Sequence, residues 1–408
     1  MAKLLLGVGA GIAAYKAVEL VRQLQQLGHA VRVMMTPRAT HFVGPMTFAG
    51  ITGEMPSIDL FDAVQPVMTH IELSRWADLL ILAPATADIL GKLAHGLADD
   101  LLSTQALAFR GPVLVAAAMN TAMWEHPAVQ ANVATLQARG VRFILGESGI
   151  LACGDVGAGR LAEPAAIAAA ADRILAPQDL DGVRILVTAG GTIAPIDPVR
   201  HIGNPSTGRM GLAIAESARR RGATVTLVAC HTAWTQLGEF DLSGVTIARV
   251  TTTDELLAAV LPAMGETDVL VAAAAPADYA LAAPSPHKLK KTAETLTLTL
   301  IPAPDVLAAV GAQRRKDQLL IGFAAETQDH LTHGRDKLHR KHLDAIVIND
   351  VGRSDIGFGA SANEVVWLAR DAEPESLPKA DKRQVADWLL DRVAGLWDVR
   401  QVPAAAAG

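Results

Sequence analysis

The feature that most constrains the fold is a repeated pattern in which a short, continuous apolar run is followed by a polar turn and a helical segment. Residues 4–7 lead through a glycine-rich turn into a predicted helix at 12–27, and residues 30–35 form the next apolar run. Residues 79–83 and 113–117 repeat the arrangement. Strands that are apolar without alternation are buried on both faces, as in a parallel sheet covered by helices. The pattern predicts a doubly wound α/β domain that binds its ligand beyond the carboxyl ends of the strands.

The same pattern begins again in residues 184–211, which read RILVTAGGTIAPIDPVRHIGNPSTGRMG. An apolar strand is followed by a long polar loop, and a helical pattern begins at Met210. Ser206 and Thr207 are predicted to cap that helix, so that its free N–H groups and its dipole would face a phosphate or a carboxylate. Asp197, Arg200 and Asn204 cluster just before the cap and favour this anion site. Later strands are predicted at 224–229, 268–274, 345–349 and 365–368.

Two domains are therefore predicted, because single hydrophobic cores stop growing at roughly 250–300 residues and this chain has 408. Both are expected to be doubly wound, Rossmann-like or flavodoxin-like parallel-sheet domains, in tandem. A polar, turn-rich linker at 176–183 sets the expected boundary, with residues 1–181 in the first domain and 182–408 in the second.

Composition excludes several classes of partner. The net charge of −6 is dispersed, and the chain has only two Tyr and eight Phe for base stacking, which argues against nucleic acid. No apolar run approaches the ~20 residues that a membrane helix needs. Cys153 and Cys230 lie far apart in different contexts, which favours free thiols and a reducing compartment such as the cytoplasm.

The first candidate site follows the first predicted strand. Gly9, Gly11 and Ala14 match a GxGxxA dinucleotide fingerprint, but the second strand ends at Thr36 rather than at an acidic residue that would bind a ribose. A hydroxyl suits a phosphate better than a diol. A mononucleotide such as a flavin phosphate therefore fits the first domain more closely than NAD does.

The segment at 151–164, LACGDVGAGRLAEP, is expected to be a mobile flap without regular secondary structure, because it holds three glycines. A flexible loop is a poor place to bury Cys153. A thiol near its ordinary pKa of ~8.5 is mostly protonated at neutral pH. Cys153 is therefore predicted to be a catalytic proton donor.

Two groups of lysines stand out in the second half. HKLKK at 287–291 lies in a predicted loop between prolines, and Lys337 and Lys341 are spaced i, i+4 on one predicted helix face. Lysines from two segments near one crevice match what a triphosphate requires, although such charges also occur simply on solvated surfaces.

With these motifs in place, the chain resembles the bifunctional phosphopantothenoylcysteine decarboxylase/phosphopantothenate–cysteine ligase family of coenzyme A synthesis over nearly its whole length. In the first half the shared motifs are GIAAYK, HIELSRWADLLILAPATA, GLADDLLST, MNTAMW and ACGDVGAGRLAEP. In the second half they are TAGGT, PIDPVRHIGN, STGRMG, APADY, KLKK, PDVL, GFAAET and IND. Four positions depart from the usual family residues: Ala10, Asp88, Arg209 and Ala303.

The resemblance implies an FMN-dependent decarboxylase in the first half. His70 would be the base or would orient the substrate, Asn120 would hold the substrate carboxylate, and Cys153 would donate a proton. The residues implied in FMN binding are Gly9, Gly11, Ile12, Thr36, Pro84, Thr86, Ser103 and Met119.

The resemblance implies a CTP-dependent ligase in the second half, which joins 4′-phosphopantothenate to cysteine through an acyl-cytidylate on which Asn204 acts. Mg²⁺ is implied without assigned ligands. The residues implied in CTP binding are Ala272, Ala273, Ala274, Asp278, Lys288, Ala303, Pro304, Asp305, Val306, Phe323, Lys337 and Lys341. Homo-oligomers are also expected, with trimers of the first domain and dimers of the second, which together would form a dodecamer.

Two other functions are weighed against this one. A flavin-binding electron carrier or regulatory subunit would not need both His70 and a cysteine on a flap. A nicotinamide dehydrogenase would need an acidic residue in place of Thr36.

Overall fold

A computed structural model of the protein describes residues 1–61, 68–146, 149–150, 156–291, 295–326, 330–350, 359–360, 362–370 and 372–401. The chain divides into two compact units, Met1–Ala176 and Pro177–Gly408. Residues 177–181, which the sequence analysis assigned to the first domain, pack with the second unit. Leu180 is buried in the core of that unit, and Asp179 forms an ion pair with the buried Arg221.

The first unit alternates strands and helices, as its sequence predicts. Its strands are β1 (Lys3–Val8), β2 (Ala30–Met35), β3 (Leu79–Ala85), β4 (Val113–Ala117), β5 (Arg142–Ile144), β6 (Gly149–Ile150) and β7 (Val156–Gly157). Its helices are α1 (Lys16–Gln26), α2 (Pro45–Thr52), α3 (Thr69–Trp76), α4 (Ala87–His95), α5 (Leu101–Ala108), α6 (Thr121–Glu125), α7 (Pro127–Ala138) and α8 (Pro164–Leu175). Short 3-10 helices span Ile12–Tyr15 and Pro37–His41.

The main sheet of the first unit is parallel, and within the described residues its strand order is β2-β1-β3-β4-β5. Leu4 and Leu6 face the core under α1 and α8, whereas Leu5 faces the core under α4, α5 and α7. This order is the flavodoxin-like one, in which the order of the strands in the sheet reverses between β1 and β3. The predicted doubly wound fold is confirmed, and the topology opens a crevice at the carboxyl ends of these two strands.

The second unit begins with another strand–loop–helix segment. Its strands are β8 (Arg184–Gly191), β9 (Ile193–Pro195), β10 (His201–Gly203), β11 (Thr224–Cys230), β12 (Thr246–Val250), β13 (Val269–Ala275), β14 (Tyr279–Leu281), β15 (Leu300–Pro302), β16 (Leu319–Glu326), β17 (Ala345–Asp350), β18 (Ala362–Ala369) and β19 (Glu375–Asp381). Its helices are α9 (Arg209–Arg220), α10 (Thr253–Ala263), α11 (Val306–Gln313), α12 (His330–Arg340) and α13 (Lys382–Gln401).

The large sheet of the second unit runs β12-β11-β8-β13-β16-β17-β18-β19 in the described part of the chain. It is parallel as far as β17, after which β18 and β19 add an antiparallel edge. The sequence analysis placed β18 in the sheet but did not predict its direction. It missed β19, because that mostly exposed strand lacks a continuous apolar run. α9 and α13 cover one face of the sheet, and α10, α11 and α12 cover the other.

Two small antiparallel hairpins, β9 with β10 and β14 with β15, stand apart from this sheet. None of the helices described here has the length and apolarity needed to cross a bilayer.

Candidate active sites

A cavity of about 1240 Å³ lies at the carboxyl ends of β1 to β4 in the first unit. The size exceeds that of most small-ligand pockets, which hold roughly 300–1,000 Å³. It can therefore hold a mononucleotide together with a second molecule. The residues predicted for this site that line the cavity are Gly11, Ile12, Thr36, Thr86, Met119 and Asn120.

Three of these polar side chains are held in position by capping the segments that follow the strands. Thr36 Oγ1 accepts a hydrogen bond from the Ala39 N–H at 3.2 Å, and Thr86 Oγ1 accepts one from the Ile89 N–H at 3.4 Å. Asn120 Oδ1 accepts from the N–H of Ala122 at 2.8 Å. A hydroxyl that accepts one bond can still donate its hydrogen. Thr36 and Thr86 can therefore each donate to a phosphate in the cavity.

Gly9 and Pro84 do not line the cavity but join the strands behind it. The Gly9 N–H donates to the Pro84 carbonyl at 3.0 Å, which links the ends of β1 and β3. A Cβ atom on Gly9 would lie 2.4 Å from that carbonyl oxygen. Their contribution is thus to bring together the turns that line the cavity.

Ser103 and His70 are the other predicted residues that do not line it. Ser103 is buried, and its hydroxyl lies 2.9 Å from Asp100 Oδ1 in a capping box at the start of α5. His70 belongs to α3, which packs against α5, rather than to a polar turn as its flanking sequence suggests. Its Nδ1 is buried and has no hydrogen-bond partner among the described residues.

Cys153 lies outside the described residues. On either side of it, β6 and β7 pair as an antiparallel ribbon, although the sequence analysis excluded regular structure from 151–164. Backbone pairing needs no particular side chains, so the glycine-rich composition did not reveal it. After the ribbon, the Met119 N–H donates to Gly159 O at 2.9 Å, and this bond fixes the segment to the cavity wall.

The sequence analysis missed a charged cluster on the cavity wall. Lys92 forms ion pairs with Asp88, Asp99 and Asp100 at 3.6, 3.0 and 2.8 Å. The hydrogen bond with Asp100 raises the pKa of Lys92 above its ordinary range, despite partial desolvation. The spacing of Asp100 and Ser103 in GLADDLLST is an N-capping pattern that could have located the start of α5.

A second cavity, of about 550 Å³, lies at the carboxyl ends of β13, β16 and β17 in the second unit. Asn204 lines it. So do all the residues predicted for CTP except Lys288, namely Ala272, Ala273, Ala274, Asp278, Ala303, Pro304, Asp305, Val306, Phe323, Lys337 and Lys341.

The start of α9 also lines this cavity, but Ser206 and Thr207 do not cap it as predicted. The N-cap residue is Gly208, whose backbone is left-handed with φ 79°, and no side chain of the described residues bonds to this helix start. The N–H groups of the first turn can therefore bind an anion in the cavity.

The side chain of Asn204 is anchored to the end of β13. Its Nδ2 donates to Ala275 O at 3.2 Å and to Pro276 O at 3.0 Å. These two bonds use the donor atoms of the amide. The oxygen Oδ1 is therefore the atom that a ligand would contact.

On the face of the sheet that α10, α11 and α12 cover, Lys341 forms an ion pair with Asp305 at 2.9 Å. Asp305 also caps α11 by accepting from the Ala308 N–H. Burial would raise the pKa of Asp305, but the bonds with Lys341 and Ala308 outweigh it and lower that pKa. These contacts fix one cation and one carboxylate in the cavity that Phe323 also lines.

Lys288 is exposed on the segment between β14 and β15 and does not line the cavity. Its neighbour Leu289 is held by Asp197 and Arg200. The buried Asp197 carboxylate accepts from the Leu289 N–H at 3.1 Å and pairs with Arg200, which donates to Leu289 O at 2.7 Å. The Arg200 guanidinium holds the pKa of Asp197 well below its usual range. These contacts of Asp197 and Arg200 with Leu289 form a clamp, which restricts the positions that the neighbouring Lys288 side chain can take.

We expect Asp197→Asn to lower CTP-dependent pyrophosphate release on the order of tenfold, because the clamp on Leu289 loosens and Lys288 loses its position. Folding lowers the pKa of Asp197. The charged carboxylate therefore stabilises the folded protein at pH values above the unfolded carboxyl pKa of ~3.9, and this stabilisation is lost only at lower pH. The gap in melting temperature between wild type and variant should thus be constant from about pH 6 to 9. The exposed Asp181→Asn is the control. An unchanged rate of pyrophosphate release in Asp197→Asn would show that the clamp does not position Lys288 for the reaction.

Comparison with known proteins gives matches along the whole chain. A family model described as "Flavoprotein" matches residues 1–176, and one described as "DNA/pantothenate metabolism flavoprotein C-terminal domain" matches residues 180–396. The coenzyme A biosynthesis bifunctional protein CoaBC of Bacillus subtilis (strain 168) is 42% identical over 399 residues, which cover 96% of each protein.

Two solved structures are also similar. The C-terminal domain of a coenzyme A biosynthesis bifunctional protein CoaBC has a TM-score of 0.46 and 35% identity, covering 54% of this chain and 99% of that one. A PPC decarboxylase mutant complexed with pantothenoylaminoethenethiol has a TM-score of 0.38 and 32% identity, covering 42% of this chain and 96% of that one.

Proposed function

The chain belongs to the family of coenzyme A biosynthesis bifunctional proteins, and from that premise we propose how its two cavities divide two successive reactions. The protein is an enzyme with ligase and decarboxylase activities in coenzyme A biosynthesis. In the proposal, the second unit uses CTP to join 4′-phosphopantothenate to cysteine. The first unit removes CO₂ from the resulting 4′-phosphopantothenoylcysteine and yields 4′-phosphopantetheine. The observation that carries the proposal is a separate cavity at the carboxyl end of each sheet.

The first cavity fits FMN. Thr36 and Thr86 offer hydroxyl donors to its phosphate, and Gly11 and Ile12 line the turn after β1, where a mononucleotide binds in this topology. When bound, FMN would supply a reversible oxidation: it would take two electrons from the thiol carbon, which makes loss of CO₂ feasible, and would return them to the enethiol, so that 4′-phosphopantetheine forms without net redox change. Asn120 then donates from its amide to the substrate carboxylate, and Cys153 protonates the carbon next to the departed CO₂.

His70 retains its role in the proposal, although it does not line the cavity of its own chain. A second copy would then bring its His70 to this site, which supports the homo-oligomer expected of the first unit. Exposed apolar side chains at the cavity, Ile12, Tyr15 and Met123, fit such a contact. In the second unit, exposed Tyr279 and Ile301 on the β14–β15 hairpin support a dimer in the same way.

The ligase reaction begins with the carboxylate of 4′-phosphopantothenate attacking the α-phosphate of CTP. Pyrophosphate leaves, and its developing charge is stabilised by the N-terminus of α9 together with Lys288, Lys337 and Lys341. The cysteine amine then attacks the acyl carbon, an amide bond forms, and CMP leaves as the amine loses a proton. In the proposal, Asn204 Oδ1 contacts the reacting acyl-cytidylate.

Magnesium would accompany CTP. Mg²⁺ in nucleotide sites usually takes one or two carboxylates together with phosphate oxygens. Among the described residues no cluster of three His, Cys, Asp or Glu side chains could hold a metal alone. The Asp278 carboxylate at the cavity fits a metal held largely by the triphosphate.

Assays on the purified wild type test the proposal. The protein should be yellow with an FMN spectrum, release CO₂ from 4′-phosphopantothenoylcysteine, and release pyrophosphate from CTP when 4′-phosphopantothenate is added. A yellow protein without CO₂ release would instead indicate an electron carrier or a regulatory subunit. Binding of NAD in place of FMN would indicate a dehydrogenase. Light scattering that shows a monomer would overturn the shared decarboxylase site.

His70→Asn should keep FMN and lose CO₂ release by at least about 100-fold, the usual contribution of a general acid or base. The flavin spectrum and CO₂ release would be measured together. His95→Asn, an exposed position at the end of α4, is the matched control. Decarboxylation by His70→Asn at the wild-type rate would remove His70 from the mechanism.

A further inference from the structure

The ligase cavity extends beyond the residues assigned to CTP, to three polar residues without an assigned role. Asn349 lies near the end of β17, Asn363 near the start of β18, and Lys382 is the first residue of α13. All three are buried, with 8%, 2% and 9% of their surfaces exposed. Buried polar groups that line a cavity are costly unless a ligand or a neighbour satisfies them.

Strand alternation places this group on one face of the sheet. Val347 and Val365 pack in the core beneath α9 and α13, so Asn349 and Asn363, each two residues from one of these valines, face the same side. Lys337 belongs to α12, on the opposite face. The cavity therefore has one side at α12 and a second side at the starts of α9 and α13.

Lys382 gives the second side its charge. Its Nζ donates to Asn363 Oδ1 at 2.6 Å, which fixes the direction of the side chain. Burial lowers the pKa of Lys382 to about 8, and the positive charge of Arg209 acts in the same direction. An anion beside the ammonium would act in the opposite direction and raise this pKa. Arg209 itself is paired with Glu239.

Asn349 supplies the complementary group. Its Oδ1 is buried and accepts no hydrogen bond from the described residues. Phosphates and carboxylates at neutral pH are acceptors only, so they cannot satisfy this oxygen. An ammonium or amine can. A cation and an unfilled acceptor on the same side of one cavity suit a ligand that carries both a carboxylate and an amino group.

We propose that Lys382 and Asn349 form the subsite for the amino-acid co-substrate of the ligase. Lys382 binds the carboxylate of cysteine, Asn349 Oδ1 accepts from its amino group, and Asn363 keeps Lys382 in position. The proposal rests on the ligase function proposed above. It gives the incoming amine a place across the cavity from Lys337, in the same cavity as Asn204.

The test compares cysteine with cysteamine, which has the same amine and thiol but no carboxylate. Lys382→Met should lower kcat/KM for cysteine by roughly 10- to 100-fold, which is the loss of rate expected when one charge-assisted hydrogen bond is removed. The kcat/KM for cysteamine should stay within about twofold, since its amine and thiol contacts are intact. Pyrophosphate release from CTP and 4′-phosphopantothenate should also persist, which shows that the variant is folded. Lys379→Met, on exposed β19, is the control.

A second variant probes the amine. Asn349→Leu removes the acceptor with little change in size, so it should raise KM for both cysteine and cysteamine while pyrophosphate release continues. Equal losses for the two substrates in Lys382→Met would overturn carboxylate binding. Loss of pyrophosphate release in either variant would assign the cluster to CTP or 4′-phosphopantothenate instead. A wild type that releases no pyrophosphate would overturn the ligase and, with it, the subsite.

Discussion

Gly208→Ala is expected to lower ligase activity by at least about 100-fold while FMN binding and CO₂ release continue. Gly208 caps α9 with φ 79°, a conformation that costs other residues strain. A Cβ atom there would also lie 2.6 Å from Ala233 Cβ and 3.0 Å from Gly190 Cα. Those atoms belong to backbone or to a side chain with no freedom to move. The helix start must shift, and with it the N–H groups that would face the CTP phosphates in the proposed reaction.

Gly244→Ala is the matched control, because Gly244 has φ 80° but open space around the position of a Cβ atom. Both variants carry the strain of a left-handed residue, and only Gly208→Ala adds the collision. Pyrophosphate release and melting temperature would be measured for both. If Gly208→Ala kept ligase activity within threefold of Gly244→Ala, the start of α9 would have no part in binding the triphosphate.

This helix start shows how far sequence reasoning reached in the second unit. The apolar run of β8 and the helical period from Met210 predicted strand, loop and helix, because those patterns are local. Local preference also favoured Ser206 and Thr207 as caps. The close approach of Gly190 and Ala233 to Gly208 comes from tertiary packing, and only that packing explains why a glycine caps the helix.

The contacts that the sequence could not predict join distant segments. Asp197 meets Leu289 across 92 residues, and HKLKK alone resembles an ordinary solvated loop. Lys382 reaches the ligase cavity because β18 and β19 return antiparallel before α13 begins. Neither contact leaves a pattern in neighbouring residues. In the first unit, by contrast, the six predicted residues that line the cavity all follow the end of a predicted strand, a position that the local sequence pattern can locate.

Gly9→Ala is expected to yield a protein without FMN and without CO₂ release. The Cβ atom would lie 2.4 Å from Pro84 O and 2.5 Å from Ile89 Cδ1. The nearer atom is backbone at the end of β3, a buried strand, so β3 cannot yield. The turn after β1 must move instead, which breaks the bond from Gly9 N to Pro84 O and displaces Gly11 and Ile12 from the cavity. Because the flavin phosphate would bind to that turn, the loss should be near complete.

The matched control for Gly9→Ala is Gly91→Ala, in the middle of α4, where the nearest atom would be Asn132 Nδ2 at an ordinary 3.7 Å. Alanine also favours a helix more than glycine does, so this variant should be as stable as wild type or more so. Absorbance at flavin wavelengths, CO₂ release and pyrophosphate release would be measured on both proteins. Pyrophosphate release should survive in Gly9→Ala, because the ligase cavity is formed entirely by the second unit. A yellow Gly9→Ala protein that decarboxylates at the wild-type rate would show that FMN does not bind at the turn after β1.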